Sequence, residues 1–305
     1  MPEGNWDGTT YYGRPQLKPA PFNKWLVGGY VFIAGLSGAA QLLATLTDLR
    51  RGRAETNAVR RGRYLAMLAP TIGAVCLIAD LGTPQRFYNM LRVFKTTSPM
   101  SIGSWALVGF SITSTATAAL QCMADRGRLT AWFRALARVT QIPAAGLGAV
   151  LCTYTATLFS ATSTPRWAAA PFGLAVRYAS AAVASAAAAL SIGEPRRASF
   201  GRDLDSLAIA ALATELAATM TERQTVRRAG IDDSWSNPAD TVSAALALGL
   251  FATSLLLPRQ RSRLLSAAGS AIVLAGSFAM RVNVLRAGQR SAQQPNVSLS
   301  FAQRG

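Results

Sequence analysis

The sequence predicts an all-α integral membrane protein with eight transmembrane helices. Half of its 305 residues are hydrophobic and only 15% are charged, whereas about a quarter of the residues in a typical soluble domain carry a charge. The hydrophobic residues are grouped into segments close to the length of about 20 residues that a helix needs to cross the hydrocarbon core, and short charged loops separate them. No loop is long enough to form a separate soluble domain, so the transmembrane region is one unit.

The eight predicted spans divide the chain into a transmembrane domain at 25–286, a polar N-terminal tail at 1–24 and a polar C-terminal tail at 287–305. The first span is too long for the core of a signal peptide and no small-residue cleavage pattern precedes it, so we interpret it as a retained helix. The sixth span is the least regular because Glu215 interrupts it. In chain order the spans are Trp25–Leu46, Tyr64–Gly82, Ile102–Ala124, Val139–Ala161, Trp167–Ile192, Ser206–Met220, Ala239–Leu257 and Leu264–Leu285.

The strongly basic balance of the chain, a formal net charge of +17, favours contact with lipid headgroups. The Lys and Arg residues lie in short loops beside the spans, and no soluble module with interspersed aromatic residues is present to hold a base, so nucleic acid is excluded as a partner. The loop after the first span, DLRRGRAETNAVRRGR, is the densest basic segment. The positive-inside rule places this loop in the cytoplasm and both termini outside.

Missing residue types exclude several chemistries. The chain contains no histidine, which excludes a bis-histidine haem and catalysis of the Ser-His-Asp type. Cys76, Cys122 and Cys152 occur singly in different spans, so no spacing is present for an iron–sulfur cluster or another metal in this chain. We identify no catalytic residue, and a redox centre must come from a diffusible cofactor or from a partner.

The most polar segment between two spans is DLGTPQRFYNMLRVFKTTSPMSIGSW, which runs from Asp80 to Trp105. We expect Gly82 to adopt a left-handed conformation and Pro84 to prevent the second helix from continuing. Asp80 then lies in the last turn of that helix. The apolar residues of the next segment repeat with helical spacing and predict a short helix on the membrane surface; they are Phe87, Met90, Leu91 and Phe94.

The end of the same segment predicts the start of the third span. Ser98 is the expected N-cap and Pro99 the first residue of the helix, and Trp105 is suited to the membrane interface. By itself this pattern is compatible with an anchored loop that carries only a solvated Asp–Arg pair.

Three strings together resemble the NrfD/PsrC family of quinone-interacting membrane subunits, the polysulfide reductase membrane-subunit family. They are the segment from Asp80 to Trp105, the string TTYYGRPQLKP in the N-terminal tail, and YTATLFSATSTPRW at the end of the fourth span. The resemblance covers most of the chain through the fifth span, whereas spans six to eight match mainly in hydropathy.

The resemblance implies an architecture and a set of partners. It implies that the eight helices form two four-helix bundles without haem in a bacterial cytoplasmic membrane. It further implies a ferredoxin-like iron–sulfur subunit as partner, itself joined to a molybdopterin catalytic subunit. Electrons would pass between that partner and the quinone pool, menaquinone or ubiquinone.

Tyr154 matches the family position at which a tyrosine hydroxyl contacts the quinone headgroup. Asp80 and Arg86 fall at the same end of the bundle, so Asp80 is a candidate for proton exchange with quinone or bulk water. Arg86 is a candidate for stabilising a reduced anion or pairing with Asp80, and Asn89 is a further hydrogen-bonding candidate. Well-characterised members have a histidine on the first helix that this chain lacks; the polar residues left open in its place are Asn23, Tyr30 and Gln41.

Three more ionisable residues lie in or near the spans. A charge at mid-span costs about 2.5–3.5 kcal/mol and therefore usually faces protein or a water cavity. Glu215 and Arg177 are candidates for a proton path, with a buried Glu–Arg pair as the structural alternative. Arg281 is expected to extend to the interface, and Arg177 is compatible with either placement.

Two other functions are compatible with eight spans and scattered intramembrane charges. One is a secondary transporter or proton-conducting subunit. Pro70 and Pro143 are possible kinks, but they are not a matched pair of helix breaks of the kind that transporters show. The other is a structural anchor without a quinone site.

Overall fold

The chain folds into a bundle of long helices. The structure, a computed structural model, describes residues 17–20, 22–51, 56–127, 131–192 and 199–302, and these ranges contain helices and no strand. The α-helices are α1 (Lys24–Arg51), α2 (Thr56–Leu65), α3 (Ala74–Ala79), α4 (Pro99–Asp125), α5 (Ala131–Ser160), α6 (Pro165–Ala168), α7 (Pro171–Ile192), α8 (Ser199–Arg228), α9 (Pro238–Leu256), α10 (Arg259–Ala292) and α11 (Pro295–Ala302). Eight helical segments are long and apolar enough to cross a membrane, which confirms the all-α membrane fold.

The boundaries of some helices differ from the prediction. The sixth span is much longer than Ser206–Met220, because α8 runs from Ser199 to Arg228 and the Glu215 side chain that interrupts the apolar pattern is buried inside the protein. Trp167 precedes the fifth span and lies in the short helix α6. The predicted C-terminal tail includes the end of α10 and the helix α11.

The second span is irregular in its middle. Between α2 and α3 the chain forms a 3-10 turn at Ala66–Leu68 and a π-helical turn at Ala69–Gly73. The backbone N–H of Ala74 donates to the carbonyl oxygen of Ala69, five residues earlier. Pro70, the expected kink, lies in this turn, where its lack of an N–H prevents a regular hydrogen-bond ladder.

The surface segment after α3 differs from the prediction in two respects. Among the described residues, positive φ occurs at Gly127 and Gly230, so the expected left-handed conformation of Gly82 is wrong. The predicted short surface helix is present as a 3-10 helix at Pro84–Leu91, but it ends before Phe94, which the prediction included. Its side chains are largely exposed, and it has only limited contact with α3 and α4, so tertiary packing does little to favour completed α-helical turns.

The expected start of the third span is confirmed. The side chain of Ser98 accepts a hydrogen bond from the N–H of Ser101 at 3.4 Å, and Pro99 is the first residue of α4. Trp105 is 40% exposed and packs edge-on against Phe94, with 6.2 Å between ring centroids. This aromatic pair therefore joins the surface segment to the start of α4.

The first helix lies at the centre of the packing. It contacts α2 and α5 on one side and α7 and α10 on the other, and α7 to α10 pack against one another. Because α1 joins both groups of helices, the division into two separate four-helix bundles stays a prediction.

The contact between α1 and α5 is unusually close at Gly38 and Gly148. A Cβ atom on Gly148 would lie 2.6 Å from the carbonyl oxygen of Gly38, and a Cβ atom on Gly38 would overlap the carbonyl of Gly148. Two membrane helices can approach this closely only where both present small residues.

Each end of the bundle has its own polar contacts. At one end, which we call the Asp80 end, the backbone N–H of Asn23 before α1 meets Asp80 after α3. At the opposite end, Arg63 of α2 donates to the side-chain oxygens of Gln121 at 2.7 Å and Gln141 at 2.6 Å.

The loop between α1 and α2 includes residues 52–55, which lie outside the described residues, as does the N-terminal string up to residue 16.

We predict that Gly148→Ala destabilises the protein. The added methyl group must separate α1 from α5, and overpacking of this kind costs about 1–3 kcal/mol. The matched control is Gly146→Ala on the same helix, where a Cβ atom would meet no other atom within 4 Å. Thermal unfolding in detergent should show a lower midpoint for Gly148→Ala only, and equal midpoints for the two variants would contradict the close contact.

Candidate functional site

Tyr154 lies in the half of α5 near the Asp80 end and packs against α4. Its ring occupies the space that a side chain at Gly103 would fill, because a Cβ atom on Gly103 would overlap the ring. The side chain is half-buried. Within the part of the chain that the structure describes, its hydroxyl makes no hydrogen bond. Glycine at position 103 therefore fixes the ring while the hydroxyl keeps its capacity to bind another group.

Asp80 contacts the start of the first helix. Its Oδ1 atom accepts a hydrogen bond from the backbone N–H of Asn23 at 2.8 Å, and the side chain of Asn23 accepts from the N–H of Trp25 at 3.0 Å. Asn23 thus caps α1 with its side chain and holds Asp80 with its backbone. Partial burial raises the pKa of Asp80, and the hydrogen bond from Asn23 lowers it by less.

Arg86 and Asn89 lie on the exposed 3-10 helix. Among the described residues, neither side chain forms a hydrogen bond or ion pair, and Asp80 and Arg86 are not joined to each other. The structure therefore connects Asp80 to α1 and leaves the two exposed side chains at the surface of the Asp80 end.

Of the three polar residues considered in place of the family's histidine on the first helix, two already form side-chain hydrogen bonds within the protein. Asn23 is the helix cap, and Gln41 is fully buried and donates to the hydroxyl of Thr45 at 3.1 Å. The third residue, Tyr30, is 5% exposed and lies in an apolar cluster with Leu107 of α4 and Leu151 of α5.

Arg177 of α7 is buried in an ion-pair network. One guanidinium nitrogen lies 3.1 Å from the carboxylate of Glu222 in α8, and another lies 3.2 Å from the carboxylate of Asp240 in α9. Asn283 of α10 donates to the same Asp240 at 2.7 Å. Arg166, also buried, lies 3.3 Å from Glu222. Side chains from all four helices α7 to α10 therefore meet in one polar cluster, which we call the Arg177 cluster.

The Arg177 cluster surrounds a cavity of about 20 Å³, which is large enough for one water molecule. Two guanidinium nitrogens of the cluster, Nη1 of Arg166 and Nε of Arg177, are enclosed and have no hydrogen-bond partner among the described residues. A water molecule in this cavity could accept from such donors.

Glu215 and Arg281 lie deeper in the bundle. The prediction that Arg281 reaches the interface is wrong, because the side chain is 1% exposed. Its guanidinium group lies over the rings of Phe32 and Tyr178, at 5.7 and 5.4 Å from their centroids, and donates to Ser277. These aromatic faces and backbone carbonyls keep the charge inside the protein.

The carboxylate of Glu215 is buried, but within the described ranges it forms no direct ion pair. It lies close enough to Arg177 and Arg281 to interact with both electrostatically. The structural alternative, a direct ion pair between Glu215 and an arginine, is therefore wrong; Arg177 pairs with Glu222 and Asp240 instead.

Three residues of the Arg177 cluster were not predicted from the sequence: Arg166, Glu222 and Asp240. Arg166 could have been identified from the sequence, because it lies in the string YTATLFSATSTPRW that carries the family resemblance. Glu222 lies beyond the predicted end of the sixth span. Asp240 follows Pro238 in the first turn of α9, where an acidic residue is common because it interacts favourably with the helix dipole. No local pattern indicates that these carboxylates share one arginine.

Comparison with known proteins agrees with this architecture. Residues 16–228, from the segment before α1 to the end of α8, match the family model described as polysulphide reductase, NrfD. An 89-residue stretch is 29% identical to the C subunit of polysulfide reductase from Wolinella succinogenes, and it spans 28% of the present protein and 28% of that subunit's length. A family model that covers most of the sequence, together with eight membrane-spanning helices, shows that this multi-pass membrane protein belongs to the NrfD polysulphide reductase family.

Proposed function

We propose that this protein is the quinone-binding membrane subunit of a multisubunit oxidoreductase. Electrons would pass between a ferredoxin-like iron–sulfur partner, joined to a molybdopterin catalytic subunit, and the quinone pool of a bacterial cytoplasmic membrane. Family membership supports the role as a membrane subunit. The observation that supports quinone binding is the Tyr154 hydroxyl. It is a hydrogen-bond donor inside a membrane span, and no described residue forms a hydrogen bond with it.

The residues around Tyr154 fit a quinone headgroup. A quinone presents carbonyl oxygens that accept hydrogen bonds, and its ring and tail need apolar walls. Tyr154 can donate to one carbonyl oxygen, and Leu107 and Leu151, about one helical turn from Gly103 and Tyr154 along the same helices, are buried apolar residues. The quinone, when bound, supplies a carrier of two electrons and two protons. The protein has to orient the ring and exchange protons with it.

Asp80 is our candidate for that proton exchange. It lies at the membrane surface, where partial burial raises its pKa and so favours the protonated acid more than in an exposed aspartate. A carboxyl group of this kind can pass a proton between water and the interior. Arg86 and Asn89 are exposed at the same end and are proposed to lie at the mouth of the site, where Arg86 can stabilise negative charge that would develop on the headgroup during reduction.

A second candidate function is proton conduction through α7 to α10. The observation that favours it is the row of buried ionisable groups that begins with Arg166 outside the membrane spans, continues with Arg177 and ends with Glu215 in the middle of α8. Buried groups of this kind in membrane helices often mark proton paths. Glu215 is the proposed carrier, because its carboxylate has no direct ion-pair partner among the described residues.

We predict that Tyr154→Phe slows quinone-linked electron transfer about tenfold in the assembled complex. The substitution keeps the ring against Gly103 and removes one donor, and a loss of about 1.4 kcal/mol in the transition state corresponds to this factor. Electron transfer from the catalytic partner to a water-soluble dye is the internal control and should not change. A quinone-linked rate equal to that of the wild type would contradict the proposed site.

We further predict that Glu222→Gln and Glu215→Gln differ in their effects on stability. Glu222→Gln removes the carboxylate that Arg166 and Arg177 share, although Arg177 keeps Asp240 and Arg166 keeps Asp233. The unfolding free energy should therefore fall by an amount toward the lower end of the about 3–5 kcal/mol that a fully broken buried pair costs. Glu215→Gln removes no direct ion pair, so thermal unfolding should occur near the wild-type midpoint. In this folded variant proton uptake coupled to quinone turnover should be slowed. Wild-type proton uptake would count against the proton path.

A further inference from the structure

We propose that the groove between α5, α7 and α8, which we call the α7 groove, is a binding site for one anionic phospholipid. One acyl chain would lie in the groove, and the phosphate would bind Arg228 at the end of α8. The inference goes beyond the proposed function, because it concerns a structural lipid rather than the quinone.

The α7 groove is a recess of about 530 Å³ on the surface of the membrane-spanning helices. Both α5 and α8 pack against α7. The α7 side chains between them are mostly Ala, Val and Ser, which are short and leave the recess between its two neighbours. Among the lining residues are Phe172, Ala175 and Ala179 of α7, Thr153 of α5, and Ala211 and Thr214 of α8.

The dimensions of the groove suit a single hydrocarbon chain. From Phe172 to Val183 the α7 side of the groove is about 17 Å long at about 1.5 Å per residue, roughly half of the 30 Å hydrocarbon core. A volume of about 530 Å³ over this length corresponds to a mean cross-section of about 31 Å². An α-helix with a diameter of about 10–12 Å has a cross-section of about 80–110 Å². The groove is therefore too narrow for a helix, but it can hold one acyl chain of one leaflet.

The polar side chains of the groove are already satisfied. The hydroxyls of Thr153, Ser180 and Thr214 each donate to a backbone carbonyl of their own helix, at 3.2, 2.8 and 2.8 Å. The surface left for an occupant is therefore hydrocarbon. Tyr154, the residue after Thr153, packs against Gly103 of α4 instead, so the proposed quinone headgroup site lies on another face of α5.

Arg228 lies beyond one end of the groove, at the level expected for a phosphate group. Phe172 is at the Asp80 end, because a Cβ atom on the adjacent Gly173 would lie 3.2 Å from the Cα atom of Glu222 near the end of α8. Arg228 follows Glu222 by six residues, which is about 9 Å further toward the surface. It follows Thr214 by fourteen residues, close to four helical turns, so Arg228 and the groove share one face of α8.

The charge of Arg228 is available for an anion. Its side chain is exposed, and among the described residues it forms no hydrogen bond or ion pair. The neighbouring Arg227, by contrast, pairs with Asp233 at 2.9 Å. A cation at the membrane surface attracts anionic lipid, and a guanidinium group can bind a phosphate through two hydrogen bonds. An apolar groove below a cation therefore favours an anionic phospholipid over a quinone, whose headgroup is neutral.

The test is native mass spectrometry of the purified full-length protein, titrated in detergent with phosphatidylglycerol or with phosphatidylcholine of the same acyl chains. We expect the first phosphatidylglycerol to bind about fivefold more tightly than phosphatidylcholine, the effect of one cation at a membrane surface. Arg228→Gln should abolish this preference. The control is Arg202→Gln, which removes an exposed cation from the other end of the same helix and should leave the preference unchanged.

A second pair of variants tests the groove itself. Ala179→Phe fills the groove and should weaken phosphatidylglycerol binding about tenfold, since the loss of two buried methylene groups is enough for that factor. The control is Ala213→Phe, which adds the same ring to an exposed position of α8 outside the groove and should bind lipid like the wild type. In the wild-type protein, phosphatidylglycerol with a photoreactive acyl chain should label the peptides of α7 and α8 that contain Ala179 and Ala211.

Other occupants would give different results, and each of these would overturn the proposal. Equal affinity for the two lipids, or a preference that survives Arg228→Gln, would exclude the anionic headgroup. Photolabelling that unlabelled quinone displaces and phosphatidylglycerol does not would assign the groove to a quinone tail. A dimer that Ala179→Phe dissociates would assign it to a second copy of the chain. None of these measurements uses quinone-linked electron transfer, so failure of the lipid site leaves the proposed function standing.

Discussion

The close approach of α1 and α5 at Gly38 and Gly148 is the constraint on which the proposed site depends. Lipid tails are as apolar as the side chains, so membrane helices associate through packing and hydrogen bonds rather than through a hydrophobic driving force between them. Two glycines allow backbone contact at this point. On the side of this crossing toward the Asp80 end, Gly103 of α4 leaves room for the ring of Tyr154 on α5.

The second group of helices is held together in a different way. Arg177 binds one carboxylate from α8 and one from α9, and Asn283 of α10 completes the contact with Asp240. Buried charges of this kind add little net stability, but removal of one partner is costly because the remaining charge is left unpaired. Glu215 is different, because it is buried near two arginines and, among the described residues, forms no direct ion pair with either.

Much of the fold could be predicted from the sequence, because membrane-spanning length and apolar composition determine which segments are helices. Candidate residues of the proposed site could be named only where a motif was present: Tyr154 and Asp80 lie in strings that resemble the family. The partners of Arg177 could not be predicted, since nothing local in the residues around Glu222 or Asp240 reveals which helices face each other. Arg281 was misplaced for the same reason. A long basic side chain near the end of a span usually reaches the interface, and only tertiary packing shows the aromatic rings that enclose this one.

The central claim, that quinone binds between α1, α4 and α5, can be tested most directly by photo-crosslinking. A quinone that carries an azido group on its ring would be activated in native membranes, and the labelled peptides identified by mass spectrometry. We predict labels on peptides that contain Gly103 or Tyr154, and competition by an excess of unlabelled quinone. Labels confined to α7–α10, or labels that unlabelled quinone does not displace, would contradict this claim.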